Sequence, residues 1–460
     1  MAPIGVLTAL DQARTQYYHF KAIVIAGMGL FTDSYDLFCI APVMKIVGRV
    51  YYSDGGARPG VTPPAVVSAT VGVALLGAVI GNVVFGALGD RVGRRRVYGA
   101  CLLLMCADLA WRIILMAGAV PAALTYYWRM SMPETARYTA LVERDVVKAT
   151  NDIGRVLADL DLGAVAEEEV AAALSRPPPP PRPSYGLLSR RFVRQHGRDL
   201  FACAAAWFLL DIPYYSSTLF QSQIYRPLFP APGLINAFQE AFNVAKFQAV
   251  IAVASTIPGY FVAVLLIDRV GRRRLQMTGF LLMAVFLFAL AGPYDGYWRD
   301  HGAHAGYIVL YSLTFFSANL GPNTTTFILP AELFPARFRS TCHGLSGAAG
   351  KLGALVGSIG FLWASQQKDG AAAGHLPGIG MMYALFVLGG ICLLGLARGG
   401  RAPAGHRHDT MMRSLEENES DRAQTQVGDG GSDTEAAKSP ASMESSHLSM
   451  SPILPARVSV

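Results

Sequence analysis

Two ionisable residues stand inside stretches that otherwise read as hydrocarbon. Asp211 sits in the middle of "FACAAAWFLLDIPYYSSTLF" (201–220), and Lys351 lies within "GLSGAAGKLGALVG" (344–357). A charge at the bilayer centre costs at least ~2.5–3.5 kcal/mol by insertion scales, so it marks function by default. An ammonium among Gly and Ala, where a helix or ligand can approach closely, suits an anion. A carboxyl that gains a proton changes from acceptor to donor, which suits proton linkage. The plainer readings are a structural ion pair for Asp211 and a snorkelling side chain for Lys351; the depth of both residues disfavours them. A second acidic pair, Asp33 and Asp36 in "LFTDSYDLF" (30–38), is spaced three apart and so shares a helix face. Two close carboxylates in a low dielectric tend to share a proton. The plainer alternative, a polar lining of a water-filled cavity, is close to the same claim.

The elements that must hold these residues follow from composition. Of 460 residues 52% are hydrophobic and 15% charged, whereas soluble domains carry about 25% charged residues. The apolar residues fall in blocks of about 18–25, matched to a hydrocarbon core of roughly 30 Å. The expected fold class is therefore all-α, a polytopic membrane protein. Spans are expected at 22–46, 66–88, 198–222, 249–267, 275–292, 306–329, 344–365 and 378–397. Residues 1–21 are too polar for a secretory leader and read as an N-terminal segment. Residues 129–197 form a polar insert with a proline run. Residues 398–460, rich in Ser, Glu, Asp and Gly, read as a disordered tail.

The net charge of +7 does not imply nucleic acid. Lys and Arg crowd into short loops between spans, as the positive-inside rule requires. The six cysteines have no metal-like spacing and read as small packing residues. No metal site and no cofactor are expected, and no soluble segment carries a catalytic constellation, so an enzymatic reading has no support.

The clearest internal signal is a repeat. "DRVGRRR" occurs at 90–96, with Asp90, Arg91, Gly93 and Arg94, and again at 268–274, with Asp268, Arg269, Gly271 and Arg272. Each copy joins two apolar spans, which argues for a duplicated bundle. A third polar loop, "PAELFPARFR" (330–339), carries Glu332 and Arg337. Six spans between 198 and 397 put the second heptad, this loop and the tail on the same, cytoplasmic side.

With "PETARY" (133–138), these motifs resemble the major facilitator superfamily. More narrowly, "GMGLFTDSYDLF" (27–38), "WRIILMAGAVPAALTYYWRMSMPETARYTALV" (111–142), "FLLDIPYYSSTLFQS" (208–222) and "GPNTTTFILPAELFPARFRST" (321–341) resemble plant and fungal proton-coupled phosphate transporters. The resemblance implies two helix bundles that alternate access, at the plasma membrane with both termini cytoplasmic. It implies a phosphate site of Trp207, Asp211, Tyr215, Asn323 and Lys351, and proton coupling through Asp33, Asp36 and Asp211. The heptads, Glu332 and Arg337 would be gating loops. The spacing i, i+4, i+8 of Trp207, Asp211 and Tyr215 places them on one helix face. Trp207, Tyr215 and Asn323 could donate hydrogen bonds to phosphate, and Lys351 could supply charge. Protonated Asp211 would be a further donor, which would link proton and phosphate binding.

The halves differ in length. Residues 198–397 hold six spans, but 22–128 is only about half as long. At 97–107, eleven apolar residues give about 16 Å of helix, half of a span. Asp108 and Arg112 follow, and then 111–128 supplies one short span. The family has four spans here and a "GGDYPLS"-type motif that this chain lacks. The C-terminal six-helix bundle (198–397) is expected to be intact and the N-terminal bundle (22–128) to lack about three helices. Two functional readings follow: a shortened phosphate–proton symporter, or a non-transporting product that is inactive or modulates a full-length relative, with another copy or that relative as oligomeric partner. A sugar substrate is a weaker third, since Lys351 and "DIPYYSS" favour phosphate.

Overall fold

A computed structural model describes residues 17–52, 62–93, 96–97, 186–219, 237–299, 304–364 and 379–399, with single positions at 126, 130, 139 and 148. The expected short span at 111–128, nearly all of the polar insert before 186, Arg94 and the tail beyond 399 lie outside the described residues. Among the described residues every element is helical.

Helix α1 (Tyr17–Tyr51) and α2 (Pro64–Val92) belong to the first half. The second half holds α3 (Arg190–Leu219), α4 (Ala237–Ile251), α5 (Ile257–Val270), α6 (Arg272–Ala291), α7 (His304–Leu320), α8 (Pro322–Leu333), α9 (Ala336–Ala364) and α10 (Met381–Gly399). A π-helical segment, Ala252–Thr256, runs α4 into α5 without a break, so the two make one span. Among the described residues five helical segments are long and apolar enough to cross a membrane: Pro64–Val92, Ala245–Val270, Arg272–Ala291, Ala336–Ala364 and Met381–Arg398.

The expected span 306–329 is divided. Leu320 ends one helix and Pro322 begins the next, with Gly321 between them at φ −115° and ψ −99°. The cause is a close crossing: a Cβ on Gly321 would lie 2.6 Å from the Leu275 carbonyl oxygen and 2.7 Å from the Gly279 Cα of α6. Irregular backbone at membrane depth survives where it is buried in protein, and Gly321 and Pro322 are both buried.

Helix α9 is the organiser, packed most extensively on α3 and α2. Its small residues allow this. Gly344 meets Gly86 of α2 backbone to backbone, and a Cβ on Gly357 would lie 2.5 Å from the Ile212 carbonyl oxygen of α3. Away from α9, α2 leaves Val73, Leu76, Ile80 and Val84 exposed, as a lipid-facing surface would be. Behind the α3–α9 pair, Phe280, Met283 and Leu287 of α6 join Tyr311 of α7 and Leu385 of α10 in one buried core.

The loops gather at one end. Asp90 at the foot of α2 accepts the backbone N–H groups of Ser340 (3.1 Å) and Thr341 (2.6 Å) in α9. Arg272 meets Glu332 at 2.9 Å. Phe192 at the start of α3 packs on Phe334 and Phe338. Asp90 of the first heptad, the second heptad and the "PAELFPARFR" loop therefore share one end of the described residues.

Candidate functional site

Helix α3 carries Trp207, Asp211 and Tyr215 along one line, and Pro213 falls inside that line. Proline removes a helical N–H and disturbs the preceding turn. Side-chain bonds brace the region: Ser216 Oγ donates to the Ile212 carbonyl (2.6 Å), and the Tyr311 hydroxyl donates to the Ser217 carbonyl (2.7 Å). The Trp207 indole lies over Gly347 and Gly350 of α9, a shelf that any larger residue at 350 would fill.

One turn further, the Lys351 ammonium donates to the Tyr215 hydroxyl and sits 4.5 Å from the centroid of the same ring. The ammonium thus faces the aromatic π-cloud and an oxygen at once. Asp211 is 2% exposed and within electrostatic range of Lys351. Its Oδ2 atom has no hydrogen-bond partner among the described residues. A buried carboxylate oxygen without a donor is costly; a proton or a donating ligand would remove that cost.

Asn323 stands in the first turn of α8, just past the Gly321 break. Its Nδ2 donates to the Tyr260 hydroxyl of α5 (2.9 Å) and to Asn319 Oδ1 of α7 (2.7 Å). Tyr214 lies among these groups, beside Asn323 and within electrostatic range of Tyr260, Tyr215 and Asp211. The structure thus joins Tyr215 and Lys351 directly, sets Asp211 within electrostatic range of Lys351 and places Trp207 on the same helix pair. Asn323 connects to them through Tyr260 and Tyr214. Asp33 and Asp36 lie on α1, which touches α4 and α3, but their side chains lie outside the described residues.

Four residues of the cluster escaped the sequence reading: Tyr214, Tyr260, Asn319 and His343. His343 packs edge-on against Trp207 (5.5 Å) and Phe327 (4.9 Å), and its Nε2 lies 3.0 Å from the Phe327 carbonyl oxygen. Tyr214 had a sequence cue in its place beside Tyr215 in "DIPYYSS" and His343 followed the "PAELFPARFR" loop, whereas Asn319 and Tyr260 had nothing to mark them in apolar runs. Among the described residues no group of His, Cys, Asp and Glu is arranged to hold a metal ion.

At the loop end, Arg272 forms a paired contact with both carboxylate oxygens of Glu332 (2.9–3.2 Å) and reaches Asp268 at 2.8 Å. Gly93 and Gly271 take nearly the same bend, with φ 101° and ψ 142° against φ 91° and ψ 148°.

The sequence model described as "Sugar (and other) transporter" matches residues 21–108 and 106–396. The chain belongs to that family of major facilitator transporters. The match is in two segments that overlap at 106–108. In this transporter's alignment with "Probable inorganic phosphate transporter 1-10" of Oryza sativa subsp. japonica, 80% of residues are identical over 556 positions, covering all of both chains. That alignment is longer than the 460 residues of this chain, so it leaves positions of the relative unmatched. "Probable inorganic phosphate transporter 1-8" of Arabidopsis thaliana is 44% identical over 91% of this chain and 95% of its own. The fold is similar to that of the proton:xylose symporter XylE, a major facilitator protein, with TM-score 0.58 and 14% identity over 88% of this chain and 98% of that one.

Proposed function

We propose that this transporter imports inorganic phosphate by proton symport across the plasma membrane, with phosphate held between α3 and α9. The observation that carries the reading is the Asp211–Tyr215–Lys351 cluster: a half-buried cation, a hydroxyl that it meets, and a buried acid within electrostatic range that has an unpartnered oxygen. Relatives named as inorganic phosphate transporters support the substrate. Lys351 would supply charge, Tyr215 and the Trp207 indole hydrogen bonds. Protonated Asp211 would donate to the anion, whereas ionised Asp211 would repel it. Binding of one ligand then favours the other. Importing a monovalent anion against an inside-negative potential costs ~2.3 kcal/mol per 100 mV. One proton cancels that charge, and a second makes import voltage-assisted.

The test is labelled-phosphate uptake at acidic and neutral external pH, in cells without phosphate transporters of their own, with surface abundance measured. Acid-stimulated uptake is expected, and Asp211→Asn should reduce it about tenfold or more. Uptake that Asp211→Asn leaves unchanged would remove Asp211 from the coupling. A second reading has its own observation, the divided family match at 106–108: a non-transporting chain that modulates a full-length relative. Surface protein with no uptake, recovered together with such a relative, would favour it.

A further inference from the structure

The orientation of the Asn323 side chain follows from a chain of hydrogen bonds that ends on backbone. Asparagine amides are ambiguous when viewed alone, because their oxygen and nitrogen look alike. Asn319 is not ambiguous. It is fully buried, and one end of its amide meets the Phe315 carbonyl oxygen at 2.7 Å. A backbone carbonyl only accepts, so that end must be Nδ2 and the other end must be Oδ1. Asn319 Oδ1 in turn meets Asn323 at 2.7 Å and requires a donor, which fixes that atom as Asn323 Nδ2. The second N–H of the same nitrogen is directed to the Tyr260 hydroxyl at 2.9 Å. Both N–H groups of Asn323 are thereby engaged, and what it still offers is its carbonyl oxygen.

We infer that Asn319 and Tyr260 are positioning residues that lock Asn323 as an acceptor, so that the site prefers an oxyanion carrying a proton over one that carries none. This rests on the phosphate reading above and sharpens it. It also reverses the role expected for Asn323 from sequence, that of a donor. A P–OH group can donate to Asn323 Oδ1, while its unprotonated oxygens take bonds from the Lys351, Tyr215 and Trp207 donors. Sulfate has the same tetrahedral shape and no proton at mildly acidic pH. It would set an oxygen against the Asn323 carbonyl, two acceptors facing one another. A site built around one substrate hydrogen bond rejects analogues that lack it by large factors, because its polar group is left unpaired.

The experiment is equilibrium binding of labelled inorganic phosphate to the purified 460-residue chain at mildly acidic pH, competed with arsenate or sulfate. Arsenate carries protons under these conditions and sulfate does not. Arsenate should displace phosphate at concentrations on the order of a hundredfold lower than sulfate. Tyr260→Phe, which removes one hydroxyl and keeps the ring, frees an Asn323 N–H to donate. It should narrow the arsenate-to-sulfate gap about tenfold. Sulfate that competes as well as arsenate in the unaltered chain overturns the inference without recourse to any variant. So does a Tyr260→Phe chain that binds phosphate with the gap unchanged. Absence of phosphate binding in the unaltered chain overturns the phosphate reading itself, and the inference with it, so the two failures are distinguishable.

Discussion

In the first DRVGRRR loop the aspartate, Asp90, reaches across to the backbone of α9; in the second, Asp268 is 70% exposed and, among the described residues, pairs with the arginine one turn along. The arginine takes the main part in the second copy. Arg272 is 15% exposed and grips Glu332 at the end of α8. The two aspartates therefore differ in reach: Asp90 meets the other half, which Asp268 does not among the described residues. The shared part is backbone: the bends at Gly93 and Gly271 nearly superimpose in φ and ψ, and a helical bond follows each, from Val97 to Gly93 and from Leu275 to Gly271. The divergent part is partnership. Asp90 joins the first half to the second, whereas Arg272 ties two elements within the second. If the halves rock as the proposed function requires, the Asp90 contact is among those that have to be remade in each cycle.

The glycines should show the largest effect, and an equal one. Their φ near +95° with extended ψ is a region that side chains other than glycine's enter at about 1–3 kcal/mol. Nothing stands within 4 Å of a Cβ built on Gly271, so the penalty at that site is conformational alone. Gly93→Ala and Gly271→Ala should lower the thermal unfolding midpoint of the purified protein by similar amounts. A large drop for one and none for the other would show that the bends are not equivalent.

Asp90→Asn comes next. It replaces an acceptor of two backbone N–H groups by an amide, one end of which is itself a donor. Hydrogen bonds to charged groups contribute about 1.5–3 kcal/mol in buried settings, and this half-buried pair should fall at or below the lower end of that range. The drop in unfolding midpoint should be accompanied by weaker attachment of α2, read as faster hydrogen exchange in 64–92 than in 272–291. Equal exchange in both helices would mean that Asp90 does not tie the halves.

What could be read from the sequence followed where free energy left a mark on composition. The spans, the repeat and the shared end of the loops were legible because hydrocarbon excludes charge and the basic residues are confined between spans. Asp211 and Lys351 were legible for the same reason, and Trp207 and Tyr215 through their spacing from Asp211. Asn319 and Tyr260 were not. An uncharged amide and a phenol are tolerated in apolar helices, and their importance lies in which atom faces which, a property of three helices brought together. The break at Gly321 had a signal in the Gly-Pro pair, but one apolar run across it hid the division. The different partners of Asp90 and Asp268 had no signal, since the acceptor role of Asp90 is directed at backbone 250 positions away.

The smallest effect is expected where the sequence is most misleading. By identity alone, Asp268→Asn should match Asp90→Asn. In the structure the Asp268 carboxylate lies mostly in solvent and pairs at i, i+4 with Arg272, an arrangement that contributes about 0.3–0.5 kcal/mol. Arg272 keeps its paired contact with Glu332 when that carboxylate is neutralised. The unfolding midpoint should therefore shift barely beyond measurement error, and added salt should abolish what shift there is, because exposed pairs are screened. A loss as large as that of Asp90→Asn would mean that Asp268 orients Arg272 for Glu332. The two loops would then be alike in depending on their aspartates, and the contrast between them would lie only in which element each one holds.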